Sequence, residues 1–161
     1  HLSIRRQRQM CIRDRYNTAH VAIYERGNIQ PGETVFITGA SGGVGLAMVE
    51  LAKARGATVL AGTTSKEKGN IAIAHGADYW IDLSVENLHE NVKKQVVDAV
   101  GEDLCEAIFD VVGGKVFGNY RRQTQQLATS NPCRRLGLVA IKPDQAIAQH
   151  SFNLPLAKPR K

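Results

Sequence analysis

Residues 34–45 read TVFITGASGGVG. A β-branched and aromatic run, Thr34 to Thr38, enters a turn with glycines at 39, 42, 43 and 45, and a stretch rich in Ala and Leu follows. That order constrains the fold more than any other part of the chain. It demands a buried strand, an abrupt reversal, and a helix that starts with bare backbone. Three chemistries are compatible with such a turn. Gly39-Ala40-Ser41-Gly42-Gly43 satisfies G-x-S-x-G, the serine hydrolase elbow. Gly39, Gly42 and Gly45 would instead let the backbone approach a pyrophosphate, whose charge meets free N–H groups at the helix start. The third reading is a tight strand-to-helix turn without a ligand.

The flanking sequence repeats the strand–helix rhythm. Asn17 and Thr18 are N-cap residue types ahead of Ala19, Ala22, Ile23 and Arg26, and Gly27 fits a stop. The spacing then predicts helix over 46–55, strand over 57–61, helix over 66–75 and strand over 78–81. Ser84 is expected to cap a helix to about residue 100, with Val85, Leu88, Val92, Val96 and Val100 along one side. A strand over 107–112, a helix over 115–127 weakened by Gly118, and a fifth strand over 136–141 complete the series. Strands that alternate with helices make βαβ units, so the expected fold is α/β, a doubly wound parallel sheet with helices on both faces. Ligands of such sheets sit at the carboxyl ends of the strands, near the switch in strand order. The glycine turn follows the first strand and so belongs to that edge.

Composition narrows the partners. The net charge is +6, but four of those charges lie in residues 1–15, and Lys158, Arg160 and Lys161 add three more. The body from 16 to 157 is left at −1. A nucleic-acid groove needs cations gathered on a folded face, so no nucleic-acid partner is expected. No stretch approaches the length of apolar residues that spans a membrane, so no membrane partner is expected either. Cys11, Cys105 and Cys133 are scattered without metal spacing, which fits plain thiols in a reducing, cytoplasmic compartment.

The first fifteen residues, HLSIRRQRQMCIRDR, lack the apolar core of a signal peptide. The run RQRQMCIRDR resembles translated sequencing-adapter sequence of the kind that contaminates environmental gene collections. Residues 1–15 are therefore read as a non-native leader and 16–161 as the folded domain.

A hydrolase needs a His and an acid after Ser41. The later histidines are His75 before Gly76, His89 within a predicted helix, and His150 in the tail. No HGGG-like segment precedes the turn, and the elbow ordinarily follows several strands rather than the first. For a dinucleotide, the generic G-x-G-x-x-G breaks at Met48, and the actual spacing is Gly39-x-x-Gly42-x-x-Gly45. Thr38-Gly39-x-x-x-Gly43-x-Gly45 is similar to the short-chain dehydrogenase turn. That family also needs Y-x-x-x-K, and four residues after Tyr16, Tyr24, Tyr79 and Tyr120 stand His20, Asn28, Leu83 and Thr124.

Several blocks together resemble the zinc-independent quinone oxidoreductase branch of the medium-chain dehydrogenase/reductase superfamily. They are TAHVAIYERGNIQPGETVFITGASGGVGLAMVELAKARGATV, SKEKGNIAIAHGAD, FDVVGG and, faintly, NLPLAK. The likeness covers residues 17–114 well and is poor from Lys115 onward. It implies a Rossmann-type domain that binds NADPH, beside a catalytic domain built mostly from residues that would precede Thr18. The chain then reads as the cofactor domain of an enzyme that transfers hydride to a quinone or other conjugated carbonyl, inactive by itself. A non-catalytic NADPH-binding module is the alternative reading, with a hydrolase using Ser41 behind it. The parent is expected to be a homodimer, since relatives often pair through this domain's sheet edge.

The resemblance also implies site residues. Ser41, Gly42, Gly43 and Val44 should line the pyrophosphate, and Thr18 should approach the nicotinamide side. Ala140 aligns with the family glycine after the fifth strand. The second strand ends Ala61-Gly62-Thr63-Thr64-Ser65 without an acid, which disfavours an NADH-type ribose contact. Lys68 matches the lysine that meets the 2′-phosphate, and Ser65 a hydroxyl contact. Leu83 stands where a tyrosine is usual. Val111 and Val112 end the fourth strand at the same edge, as core residues or as cleft wall. No C-x-x-C cluster marks a structural zinc lobe, no metal ligand is expected, and no catalytic residue is identified.

Overall fold

Thr34–Thr38 forms the interior strand β1, which pairs with residues 58–62 on one side and 107–110 on the other. The computed structural model describes residues 2–85, 88–101, 105–112, 135–138 and 151–152, with 2–10, 88–89, 135–138 and 151–152 defined by backbone alone. Helix α1 (Leu2–His20) continues into a π-helical turn (Val21–Arg26). After β1 come α2 (Gly43–Ala54), β2 (Thr58–Thr63), α3 (Lys66–Ala74) and β3 (Tyr79–Asp82). Helix α4 (Leu88–Val100), β4 (Ala107–Asp110), β5 (Arg135–Leu138) and β6 (Ser151–Phe152) follow.

The strand order is β3-β2-β1-β4-β5-β6. The chain winds outward from β1 to β3, then returns past β1 to β4. The order therefore switches between β1 and β4, where Val35 to Thr38 lie opposite Ala107 to Asp110. This is the doubly wound Rossmann-type arrangement, in which ligands bind in the crevice outside the carboxyl ends of the strands at the switch. The first five strands in that order are parallel. β6 departs from the expected parallel sheet: Phe152 and Ser151 pair antiparallel to Leu136 and Gly137.

Successive strand residues face opposite sides of a sheet, and this sheet uses both sides. Val35, Ile37, Val59, Ala61, Ala107 and Phe109 join a cluster with α1, α2 and α3. Phe36, Leu60, Ile81 and Ile108, one step out of phase, pack with Val92 and Val96 of α4. The first cluster is rich in alanine, including Ala19, Ala22, Ala47, Ala52 and Ala72. Small side chains bring the helix backbones close to the sheet, which is what lets α2 press on the turn before it. The predicted apolar side of α4 is thus the buried one at Val92 and Val96.

Several local expectations need correction. The helix expected to begin at Asn17 or Thr18 begins at Leu2, and the Thr18 hydroxyl donates to the Asp14 carbonyl at 2.9 Å instead of capping. Its C-terminal end falls at Arg26 as expected, with Gly27 as the cap, but in a different geometry. Gly27 is not left-handed; Asn28 makes the reversal at φ 43°, while a side chain on Gly27 would strike Phe109 at 2.6 Å. Helix α2 starts three residues earlier than predicted, at Gly43. Ser84 does not cap α4: its N–H and hydroxyl both donate to Asp82 Oδ1, at 2.8 and 2.7 Å. β4 ends at Asp110 rather than Val112. The predicted helix 115–127, residues 139–141 and Ala140 lie outside the described residues.

Helix α1 is fastened to α2 by one carboxylate. Glu50 accepts from the Tyr16 hydroxyl, and its other oxygen lies 2.6 Å from His75 Nδ1. The Tyr16 hydrogen bond, followed by that from His75, holds the Glu50 carboxyl below its ordinary range. A carboxyl lowered by folding contributes stability above its unfolded value and loses it as pH falls through the folded one. Glu50→Gln should therefore cost less than about 1 kcal/mol near neutrality, because the pair is partly exposed. The gap from the unmodified chain should shrink on acidification, as read from urea midpoints at about pH 7 and about pH 3.5.

Candidate functional site

Strand β1 delivers the chain to the carboxyl edge of the sheet, and the next five residues reverse it. Gly39 takes φ 64°, a conformation L side chains seldom adopt. Ala40 N–H donates to Gly62 O of β2 at 3.4 Å, and Gly42 N–H donates back to Gly39 O at 2.9 Å. Helix α2 then rises directly over the turn. A Cβ on Gly45 would lie 2.3 Å from Gly39 O and 2.8 Å from Ala40 Cα. Gly45 therefore serves close packing, while Gly42 and Gly43 are exposed at the edge.

The start of α2 is electrostatically bare. Its N-cap is Gly42, which has no side chain to cap with, and its first turn holds no acid. Backbone N–H groups at a helix start carry partial positive charge and suit an anion. A cation stands beside them. Arg15 Nε and Cζ lie 2.7 and 2.8 Å from where a Gly43 Cβ would be. Arg15 belongs to the stretch read from sequence as a non-native leader, and it was not among the expected site residues. Only the docking of α1 on α2 brings it to the turn.

Across the switch, Asp110 ends β4, and its side chain ties the two halves together. Oδ1 accepts the Thr38 hydroxyl at 2.5 Å and the Val112 N–H at 3.0 Å. Thr38 and Asp110 are both buried. This carboxylate sets the separation of the glycine turn from the loop after β4. A Cβ on Gly39 would meet Val112 Cγ2 at 2.8 Å. Val112 itself is 58% exposed, an apolar wall on the crevice rather than a core residue. Asp110 was not singled out by sequence, although its place before two valines and two glycines was a usable signal.

The second strand carries the other half of the site. Ser65 is the N-cap of α3, and its Oγ accepts from Lys68 N–H at 3.4 Å. Lys68 is exposed and Ser65 half-buried, both on the edge that holds Ser41. Glu67 curls back onto the helix start. Its own backbone N–H, then the Ser65 hydroxyl, hold its carboxyl below the ordinary range. Leu83 is buried against the α4 side, and its N–H donates to Thr63 O at 2.8 Å.

The structure thus gathers Ser41, Gly42, Gly43, Val44, Ser65 and Lys68 on one edge. Thr18 is half-buried on α1, whereas Ala140 is not described. The histidine that a hydrolase would need is not offered by His75, which is committed to Glu50 beside the end of α3. Among the described residues, no three His, Cys, Asp or Glu side chains gather to hold a metal ion, and no helix is long and apolar enough to cross a membrane.

Comparison with known proteins gives concordant matches. A family model described as zinc-binding dehydrogenase matches residues 43–130. Quinone oxidoreductase-like protein 2 of Mus musculus is 40% identical over 103 residues, 63% of this chain and 28% of that protein. An acryloyl-coenzyme A reductase of Sulfurisphaera tokodaii is 52% identical over 140 residues, 80% of this chain and 38% of that protein. A solved quinone oxidoreductase of Pseudomonas syringae superposes with a TM-score of 0.55 at 30% identity, covering 65% of this chain and 30% of that one. Mycobacterial Rv1454c complexed with NADPH superposes with a TM-score of 0.60 at 26% identity, covering 65% and 31%. The chain spans between 28% and 38% of the length of these two curated relatives.

Replacing Gly45 tests the close approach on which the site rests. Gly45→Ala should destabilise the chain by about 1–3 kcal/mol, the usual cost of overpacking a rigid contact. Denaturant unfolding of the two proteins measures it, and an unchanged midpoint would show that α2 does not press on the turn.

Proposed function

The chain belongs to the zinc-binding dehydrogenase family, within the medium-chain dehydrogenase/reductase superfamily, and from that premise we propose that it holds NADPH for an oxidoreductase that reduces a quinone or another conjugated carbonyl. The observation that carries this reading is the bare start of α2 at the β1/β4 switch. It has no side-chain cap and no acid in its first turn. That helix start fits a pyrophosphate, since its amides meet anionic oxygen with no carboxylate to displace.

Ser41, Gly42, Gly43 and Val44 would hold the pyrophosphate. Ser65 and Lys68 would meet the 2′-phosphate, the hydroxyl by a hydrogen bond and the ammonium by charge. That phosphate would compete with Glu67 for the Ser65 hydroxyl. Thr18 and Ala140 are assigned to the nicotinamide side by family likeness. Asp110 would position the crevice by fixing the glycine turn against Val112. When bound, the dihydronicotinamide would supply the hydride, and the chain's part is to orient it and to screen one face with apolar residues such as Val112.

The acceptor class rests on the relatives. One is named for quinones and another for an acryloyl thioester, and both compounds are conjugated carbonyls. The zinc-independent branch is favoured by the Gly39-x-x-Gly42-x-x-Gly45 spacing. A homodimeric parent and a cytoplasmic location belong to the same reading.

Calorimetric titration of the purified chain with NADPH and NADH tests it directly. NADPH should bind more tightly than NADH. Lys68→Ala should weaken NADPH about tenfold or more, the worth of one charge-assisted hydrogen bond, with NADH little affected. Absence of heat with either dinucleotide would overturn the reading.

A further inference from the structure

Trp80 is the chain's one tryptophan, and its indole does more than fill space. It stands on β3 opposite Ala61 of β2, and side chains two residues apart share a face, so Thr63 projects to the same side. The indole Nε1–H donates to Thr63 Oγ1 at 2.8 Å. Thr63 is buried, and its hydroxyl donates in turn to the Ser65 carbonyl at 3.1 Å. The direction is fixed by chemistry. An indole N–H only donates, so the hydroxyl accepts there and must spend its single proton on Ser65. A relay of this kind is polarised along its length.

The same ring is wedged under α3. A Cβ on Gly69 would meet Trp80 Cδ1 at 2.6 Å and Nε1 at 2.7 Å. The indole therefore holds both ends of one short segment. Its edge fixes the Ser65 backbone through Thr63, and its face sets the height of the first turn of α3. Ser65 Oγ receives Lys68 N–H within that turn. The backbone that carries the Ser65 hydroxyl and the Lys68 side chain thus rests against Trp80.

We propose that Trp80 is a positioning residue for cofactor specificity, which presents Ser65 and Lys68 to a ribose 2′-phosphate through the Thr63 hydroxyl. This rests on the NADPH reading above and adds to it the device that sets discrimination against NADH. Trp80 touches no part of the dinucleotide in this account. Its effect is confined to the end of the cofactor that carries the extra phosphate.

The test compares Kd for NADPH and NADH by calorimetry in the full chain, Trp80→Phe and Thr63→Val. Trp80→Phe keeps an aromatic ring against Gly69 and removes the donor. Thr63→Val keeps the indole and removes the relay. Each should narrow the NADPH-over-NADH preference by about five- to tenfold, the value of one buried hydrogen bond transmitted to the phosphate, with Kd for NADH unchanged. A merely structural role would weaken both dinucleotides together. A second readout needs no variant: 2′,5′-ADP should change the emission of Trp80, and 5′-AMP should not. If the unmodified chain prefers NADPH and both variants keep that preference in full, Trp80 has no such role while the cofactor reading survives. If the unmodified chain binds neither dinucleotide and 2′,5′-ADP leaves Trp80 emission unchanged, the cofactor reading itself fails and takes this assignment with it.

Discussion

Gly45 stands where the second helix meets the turn that follows the first strand, and no larger side chain fits between them. The helix axis is thereby brought down onto the carbonyl of Gly39 and the backbone of Ala40. Everything at the carboxyl edge follows from that approach. The amides of the helix start are left facing the edge because Gly42 offers no capping side chain. The turn itself is pinned to β2 through Ala40 and Gly62, and to β4 through Thr38 and Asp110. The exposed helix start is a consequence of backbone packing here, before any charged side chain is considered.

The core is built to permit this. Alanines dominate the face under α1, α2 and α3, while the opposite face uses Phe36, Leu60 and Ile81 against α4. Small residues give up some buried apolar area in exchange for short distances between helix and sheet. The larger side chains on the other face restore it. The glycine turn and the α3 cap both lie on elements of the alanine-rich side. Two fixed points then define this edge, the Thr38–Asp110 bond between β1 and β4 and the Trp80–Thr63 bond between β2 and β3. Both are single hydrogen bonds from buried or half-buried side chains, where an unmade partner is costly.

Much of this was legible in the residues. The short β-branched and apolar runs and the glycine stops placed β1, β2, α3, β3 and α4 within a few residues of where they stand, because burial on both faces of a sheet leaves a strong apolar signature. Ser65 was read as a hydroxyl contact ahead of Lys68, and the structure shows it as the cap of α3. Misplacements share a cause. Ser84 and Thr18 are capping residue types by propensity, yet a nearer partner, Asp82 or the Asp14 carbonyl, satisfies each of them. Gly27 looked like a left-handed stop, while its real constraint is the ring of Phe109, 82 residues away in the chain and invisible to a local reading.

The sequence by itself determined the order of strands and helices, the bare turn between β1 and α2, and the absence of an acid at the end of β2. These are properties of neighbouring residues, and local sterics and hydrogen bonding decide them. Tertiary structure alone decided that Arg15 stands over Gly43, that Asp110 joins the two halves of the sheet at the switch, and that Trp80 reaches Thr63. Each of those contacts is made between residues far apart in the chain, and only the parallel register of the strands and the docking of α1 and α3 bring their atoms within reach.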